Sequence, residues 1–235
     1  MSYPGVLCVW LKALPQQFKH GVVAALCVTG LSVSAGVSSA EGGVSSAAEA
    51  APATAERSIL QWIERMHSAP CARPYAGTFV VLAASGAMAS SRIWHACEGA
   101  QQMERVEALS GTPRTIFRRN DEVRTFWPQS RVVRSDRRDA SGLFPRVPVV
   151  EGTSISQFYA ARPVGQERVA GFVADVVWFK PLDALRFGYR LWVERDSGLV
   201  VKLQTLALDG RVLEQAAFSE LDLNASVRVE QLSRL

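Results

Sequence analysis

The chain is poor in the residues that most catalytic and metal sites use. Its 235 residues include three histidines and four cysteines. No Cys-x-x-Cys pair, His-Glu-x-x-His motif, glycine-rich phosphate loop or Gly-x-Ser-x-Gly elbow occurs in the sequence. We therefore predict no catalytic residues, no metal site and no cofactor, and expect a binding protein rather than an enzyme.

The sequence also lacks an uninterrupted apolar run of about 20 residues, the length that a membrane-spanning helix needs. Instead, Lys12 and Lys19 precede an uncharged segment, 21–40, with a short apolar centre and the small residues Ser38-Ser39-Ala40 at its end. This order is typical of a secretory signal peptide. We predict a signal peptide over residues 1–40, cleaved after Ala40 or after Ala35, and a flexible leader over residues 41–55.

Strong net charge is absent once the signal peptide is set aside. The whole chain carries +4 and has an isoelectric point near 9.1. Removing residues 1–40 takes away two lysines and no acidic residue, which leaves 24 basic against 22 acidic side chains, or +2. Such a small surplus does not favour a nucleic-acid partner.

Two cysteines leave with the signal peptide, so that Cys71 and Cys97 remain as one pair. In an oxidising compartment this pair predicts a disulfide that closes a 27-residue loop, worth about 3.5 kcal/mol on the chain-entropy model. Two buried free thiols are the alternative. Simple hairpin register brings Cys97 closer to Tyr75 than to Cys71, so the disulfide requires the backbone to curl.

Hydrophobic periodicity predicts one helix followed by many strands. Ile59, Ile63 and Met66 recur at helical spacing and predict a helix over 56–69, ended by Pro70. From residue 75 onward, short β-rich runs alternate with turn signals such as Asn120-Asp121. About ten strands joined by tight turns predict a large antiparallel sheet or barrel.

One segment does not follow this alternation of strands and turns. Residues 135–162 contain a long irregular loop followed by a predicted short helix over 153–161. Long loops inside a domain are often functional. Aromatic residues in the strands either fill the core or line a cavity for an acyl chain, and the sequence leaves both readings open.

Arginine is the one residue type in marked excess. The chain has 22 arginines, nine of them between Arg114 and Arg146. Four crowd around the start of the long loop: Arg131, Arg134, Arg137 and Arg138. Guanidinium groups suit phosphate and carboxylate ligands, so this cluster is a candidate site for an anionic ligand or partner; a merely solvated face is the alternative.

Long stretches of the strand region resemble one family in order. They are YAGTFVVL (75–82), SSRIWHACEG (90–99), ERVEALSGTPRTIFRRNDEVRTFWP (104–128) and GQERVAGFVADVVWFKPLDALRFGYRLWVERDSGLVVKLQTLALDGRVLEQAAFSEL (165–221). The most specific pieces are Gly-Thr-Pro-Arg at 111–114, Asn-Asp-Glu-Val at 120–123, Arg-Val-Ala-Gly at 168–171, Arg-Phe-Gly-Tyr-Arg-Leu-Trp at 186–192 and Glu-Gln at 214–215. From about Ser58 to Asn224 the chain resembles the large N-terminal domain of the MucB/RseB family.

The resemblance implies a fold and a function. The fold is α+β but mainly β: a large curved antiparallel sheet, or unclosed β-barrel, with helices in its concavity, similar to the LolA/LolB lipoprotein carriers. The function is that of a non-enzymatic periplasmic regulator of sigma-E-type signalling. Such a protein binds the periplasmic part of a RseA/MucA-type anti-sigma factor, shields it from proteolysis and senses lipid or lipopolysaccharide. A periplasmic lipid or lipoprotein carrier of the LolA/LolB type is the alternative, and a homo-oligomer is left open.

The resemblance also implies a domain order. We expect the MucB/RseB-type domain over 56–224. Family members continue into a smaller C-terminal domain, so residues 225–235 are expected to be either a tail or the start of that domain.

Overall fold

The computed structural model describes residues 57–137 and 155–232. The predicted signal peptide and leader lie outside these residues, as does most of the predicted long loop. In the described ranges, no helix combines the length and apolarity that crossing a membrane requires.

Eleven strands and three helices form the described part of the chain. The helices are α1 (Ile59–Ala72), α2 (Ile155–Phe158) and α3 (Val229–Leu232). The strands are β1 (Tyr75–Ala83), β2 (Met88–Glu98), β3 (Gln101–Ala108), β4 (Thr115–Arg119), β5 (Glu122–Trp127), β6 (Val132–Arg137), β7 (Tyr159–Val169), β8 (Phe172–Pro181), β9 (Gly188–Glu194), β10 (Val200–Leu206) and β11 (Val212–Asp222).

All eleven strands belong to one antiparallel sheet with the order β6-β5-β4-β3-β2-β1-β11-β10-β9-β8-β7. Every neighbouring pair is consecutive in the chain except β1 and β11, which pair in the middle of the sheet. The two edges, β6 and β7, are not paired with each other, so the sheet is unclosed. The predicted mainly β, unclosed antiparallel architecture is confirmed, with eleven strands in place of about ten.

Helix α1 covers one face of this sheet, which we call the inner face. Its residues Trp62, Ile63 and Met66 are buried and belong to the same hydrophobic cluster as strand residues from both halves of the sheet. Phe79 of β1 and Leu191 of β9 are completely buried in this cluster. The helix therefore links the two halves of the sheet through a common core.

The ends of α1 differ from the sequence prediction. Ser58 caps the helix: its Oγ accepts a hydrogen bond from the Gln61 N–H at 3.3 Å, and Gln61 Oε1 accepts one from the Ser58 N–H at 2.8 Å. The predicted stop at Pro70 is wrong, because the helix continues to Ala72. Pro70 lies in the last turn, where its missing N–H removes a single helical bond. Pro74 sets the true end, since it restricts the preceding residue, Arg73, to an extended conformation.

The break predicted over 135–162 is shorter than expected. Strand β6 runs to Arg137, and the predicted helix over 153–161 reduces to α2, after which β7 begins at Tyr159. Residues from Tyr159 onward pair with β8, in the register Tyr159↔Pro181 and Ala161↔Phe179. The ladder to β8 overrides the helical preference of Ala160 and Ala161.

The opposite, outer face carries a second, smaller cluster. Val229 and Leu232 of α3 pack there against Ala96 of β2 and Met103 of β3. The Val229 N–H also donates to Glu98 Oε1 at 3.2 Å. The segment after residue 224 thus packs directly on the first half of the sheet.

Candidate functional site

A disulfide joins α1 to the sheet. Cys71 lies in the last turn of α1 and Cys97 lies near the end of β2, with their Cα atoms 5.2 Å apart. The continuation of the helix past Pro70 supplies the curl that simple hairpin register lacked. Cys71 is exposed and Cys97 is half-buried, so the bond is accessible from solvent. Because both sulfurs are oxidised, the pair provides no thiolate nucleophile.

A row of polar side chains crosses the inner face next to this disulfide. The pairs Tyr75↔His95, His95↔Glu104 and Glu104↔Arg118 are register partners on β1 to β4. His95 and Glu104 are completely buried and Arg118 is 1% exposed. The Tyr75 and His95 rings stack at 4.8 Å between centroids. The row is a deeply buried charged network at the end of the sheet where α1 terminates.

Two hydrogen bonds from Arg118 hold it in this row, and His95 lies close to Glu104. Arg118 Nη1 donates to Glu104 Oε2 at 3.3 Å, and Arg118 Nη2 donates to Gln102 Oε1 at 3.3 Å. His95 Nε2 lies 3.8 Å from Glu104 Oε1. An ion pair at such depth is stabilising only when both partners are present, because either charge alone would be buried without compensation.

Gln102 determines the tautomer of His95. Since its Oε1 accepts from Arg118, its amide nitrogen is the atom that lies 3.0 Å from His95 Nε2. An amide N–H donates, so His95 Nε2 accepts and carries a lone pair. The same nitrogen lies 3.9 Å from Cys97 Sγ. The lone pair of His95 therefore points at the Gln102 amide, and Cys97 Sγ lies near the same ring nitrogen.

A cavity of about 400 Å³ opens beside the disulfide. The side chains of Arg118 and Gln102 connect it to the buried row. Its lining consists of Cys71, Cys97, Gly99, Ala100, Gln101, Gln102, Arg118, Asn120 and Asp121. Guanidinium, amide and carboxylate groups lie in its wall, unlike in the apolar core under α1.

The space between α1 and the sheet is filled by side chains. Phe79 and Phe179 are completely buried, and the apolar side of α1 packs on the inner face. Of the two readings that the sequence left open for the strand aromatics, the core reading applies to these two residues.

The arginines of the predicted anionic site do not converge. Arg131 directly precedes edge strand β6, on which Arg134 and Arg137 lie at positions of opposite parity, so these two project to opposite faces of the sheet. Arg134 Nε lies 3.0 Å from Asp136 Oδ2, and Arg137 Nε lies 3.9 Å from Asp121 Oδ2. Arg138 lies outside the described residues. The three described arginines form an exposed basic edge rather than a pocket.

Sequence reasoning missed the row from His95 to Arg118. A signal was present, because Glu104 and Arg118 occupy strand positions that share parity with the buried Val106 and the half-buried Ile116. A charged residue at an inward position predicts a buried partner. Which residue supplies that partner depends on the register of three strands, which the sequence alone does not fix.

A protein-family model matches most of the chain. The MucB/RseB N-terminal domain aligns with residues 58–235. This range contains α1, all eleven strands, the disulfide and the buried row.

Curated relatives and a solved structure agree with the family model. The sigma factor AlgU regulatory protein MucB of Pseudomonas aeruginosa is 31% identical over 185 residues, covering 78% of this chain and 56% of that protein. The sigma-E factor regulatory protein RseB of Haemophilus influenzae is 25% identical over 128 residues, covering 54% and 41%. A crystal structure of MucB in complex with MucA(peri) superposes with a TM-score of 0.60 and 26% identity, covering 74% of this chain and 58% of that one.

The chain spans about half the length of the curated relatives it matches. The matched part is continuous and includes the whole described sheet. On the match of the family model over residues 58–235, the chain belongs to the MucB/RseB family and carries that family's N-terminal domain.

Proposed function

We propose that this protein is a non-enzymatic periplasmic regulator of a sigma-E-type factor. It binds the periplasmic part of a membrane-bound anti-sigma factor of the MucA/RseA type and shields that segment from proteolysis. Lipid or lipopolysaccharide weakens this complex, so that the protein also senses envelope stress. Export through the signal peptide predicted over residues 1–40 delivers it to that compartment.

One observation carries the proposal. The described sheet superposes on MucB, at a TM-score of 0.60, in a structure where MucB is bound to MucA(peri). The relatives are named as regulators of AlgU and sigma-E, which supports the same role. The disulfide between α1 and β2 is consistent with an oxidising compartment.

The test is binding of the exported full chain to the periplasmic segment of the anti-sigma factor from the same genome. We expect saturable one-to-one binding by calorimetry, and slower cleavage of the segment when the protein is present. MucB with its own MucA segment is the positive control. Absence of binding by this chain, with binding by the control pair, would contradict the proposal.

Lipid sensing has a separate readout. Added lipopolysaccharide should release the anti-sigma segment from the preformed complex, in a dose-dependent manner. A neutral phospholipid at equal concentration is the control. Equal release by both lipids, or release by neither, would contradict the proposed lipid sensing. It would not affect the proposed binding of the anti-sigma factor.

The packed interior favours this regulator over the alternative, a lipid or lipoprotein carrier. A carrier needs space for acyl chains between helix and sheet, and α1 fills that space with Trp62, Ile63 and Met66. Retention of a labelled lipoprotein through gel filtration, followed by transfer to acceptor membranes, would reverse this preference.

A further inference from the structure

The disulfide and the buried histidine beside it bring three potential metal ligands together. Single ligand atoms of Cys71, His95 and Cys97 all lie within 4.8 Å of one another. Two thiolates and one imidazole are a donor set that Zn²⁺ accepts readily. In the oxidised protein the two sulfurs are bonded to each other, so this donor set exists only after reduction.

We propose that reduction of the Cys71–Cys97 disulfide creates a Zn²⁺ site formed by Cys71, Cys97 and His95. A dithiol reductant transfers two electrons and two protons to the disulfide and becomes a disulfide itself. The two new thiols then bind Zn²⁺ and release two protons, while neutral His95 binds without losing one.

The position of His95 supports this geometry. In a tetrahedral Zn²⁺ site, a sulfur and a nitrogen ligand lie about 3.6 Å apart. His95 Nε2 already lies 3.9 Å from Cys97 Sγ, and Zn²⁺ would replace the Gln102 amide as the partner of its lone pair. Stacking on Tyr75 holds the imidazole ring in place. The histidine is thus oriented before any metal arrives.

The two sulfurs require only a small movement. Zn²⁺-bound thiolates lie about 3.8 Å apart, and the backbones of Cys71 and Cys97 are already adjacent, with Cα atoms 5.2 Å apart. Cys71 is exposed in the last turn of α1, so its side chain can rotate and a reductant can reach it. The cavity beside both sulfurs has room for a fourth ligand such as water.

The site would preserve a link that reduction otherwise removes. Zn²⁺ would join the C-terminal end of α1 to β2 through the residues that the disulfide joins in the oxidised protein. The attachment of the helix then persists in both redox states. This role is independent of anti-sigma binding.

The test is metal binding by the full chain in both redox states. The protein is first reduced with dithiothreitol, and the reductant is then removed under anaerobic conditions. The reduced protein is titrated with Co²⁺, and its Zn²⁺ affinity is measured in competition with a chromophoric chelator. We expect one metal per chain, with Co²⁺–thiolate charge-transfer bands and the intense visible bands of tetrahedral Co²⁺. The oxidised protein should show neither. Absence of these bands in the reduced protein, or equal Zn²⁺ affinity in both states, would overturn the proposal.

Variants identify the ligands. His95→Gln should weaken Zn²⁺ binding by at least about 100-fold, beyond the loss typical of an outer contact. His67→Gln is the matched control, since His67 precedes Cys71 by one helical turn but lies outside the ligand group. Loss of binding in His67→Gln, with binding retained in His95→Gln, would contradict the assignment.

A second measurement covers the case in which His95→Gln does not fold. Zn²⁺ should raise the melting temperature of the reduced wild-type protein and leave that of Cys71→Ser/Cys97→Ser unchanged. An equal Zn²⁺-induced shift in both proteins would place the metal elsewhere.

Discussion

Arg65 of α1 reaches across the domain to the backbone of Glu194, 129 residues later in the chain. Its Nη2 lies 3.5 Å from the Glu194 carbonyl oxygen and also donates to the carbonyl of Arg195. The aliphatic part of Arg65 packs on Gly198, where a Cβ atom would come within 2.8 Å of Arg65 Cγ. Gly198 also adopts a φ of 81°, so the turn between β9 and β10 requires glycine on two grounds. The helix is thereby fastened to the second half of the sheet, as the disulfide fastens it to the first.

Arg65→Ala should destabilise the domain by about 1–2 kcal/mol, because hydrogen bonds from a charged donor to two backbone carbonyls are lost. Urea unfolding followed by tryptophan fluorescence measures this change. Arg73→Ala, an exposed arginine just after the same helix, is the control and should be nearly neutral. Equal losses in the two variants would show that Arg65 contributes only as a helix residue.

Glu194 should make stability depend on acid pH. Burial raises the pKa of this carboxyl, but hydrogen bonds from the hydroxyl and N–H of Ser197, the N–H of Asp196 and the nearby Arg65 outweigh burial, so the net pKa is lowered from 4.5. A lowered pKa means that the unfolded chain binds more protons. The stabilisation is therefore complete above about pH 4.5 and is lost as pH falls through the folded-state pKa.

Glu194→Gln should be less stable than wild type at pH 7, and the difference should shrink as pH falls from 5 to 3. Denaturant midpoints at several pH values measure it. Glu64→Gln, on the exposed side of α1, is the control. A difference that stays constant over this range would show that the Glu194 charge plays no part.

Removing Arg118 should be strongly destabilising. Arg118→Met leaves Glu104 as a buried charge without its guanidinium partner, which costs about 3–5 kcal/mol. The double variant Glu104→Met/Arg118→Met replaces both charges with apolar groups and should recover most of this loss. Unfolding free energies of the single and double variants check the prediction; an additive double variant would contradict the pairing.

On the proposed lipid-sensing function, the basic edge formed by Arg131, Arg134 and Arg137 should contribute to lipopolysaccharide binding. An arginine near an anionic surface is worth about 1 kcal/mol, so each Arg→Gln change should weaken binding about fivefold at low salt. The triple variant should also flatten the salt dependence. Arg195→Gln and Arg211→Gln, in turns of the other half, are the controls. Unchanged binding in the triple variant would show that these arginines are only a solvated surface and do not bind lipopolysaccharide.

Gly77→Ala should weaken the central seam between β1 and β11. A Cβ at this position would lie 2.5 Å from the Glu220 carbonyl oxygen and 2.9 Å from the Phe218 ring, so the strands would have to separate. Overpacking of this kind costs about 1–3 kcal/mol. Ala76→Ser, on the neighbouring position, is the control, and thermal unfolding is the measurement. Equal melting temperatures would show that the seam tolerates the methyl group.

Local features of the fold were predictable from the sequence. Asn120 adopts a φ of 54° in the turn that its neighbour Asp121 completes, and this turn was predicted from the same two residues. These signals sit within a few residues of each other. The extension of α1 past Pro70 was not foreseen, because it depends on the position of Pro74.

Contacts between residues far apart in the sequence were harder to predict. The pairing of β1 with β11 and the contact of Arg65 with Glu194 have no local signal. The row from His95 to Arg118 requires the register of β2, β3 and β4 together. The family resemblance supplied the architecture without the side-chain contacts that hold it.

The central seam also has a consequence for folding kinetics. Within each half, β1–β6 or β7–β11, every pairing joins sequence neighbours, so each half can form from short-range contacts. The seam alone closes a loop of well over a hundred residues, at a large entropic cost. The docking of the two preformed meanders is thus the natural late step. Mutations at the seam should therefore accelerate unfolding more than they slow the initial collapse.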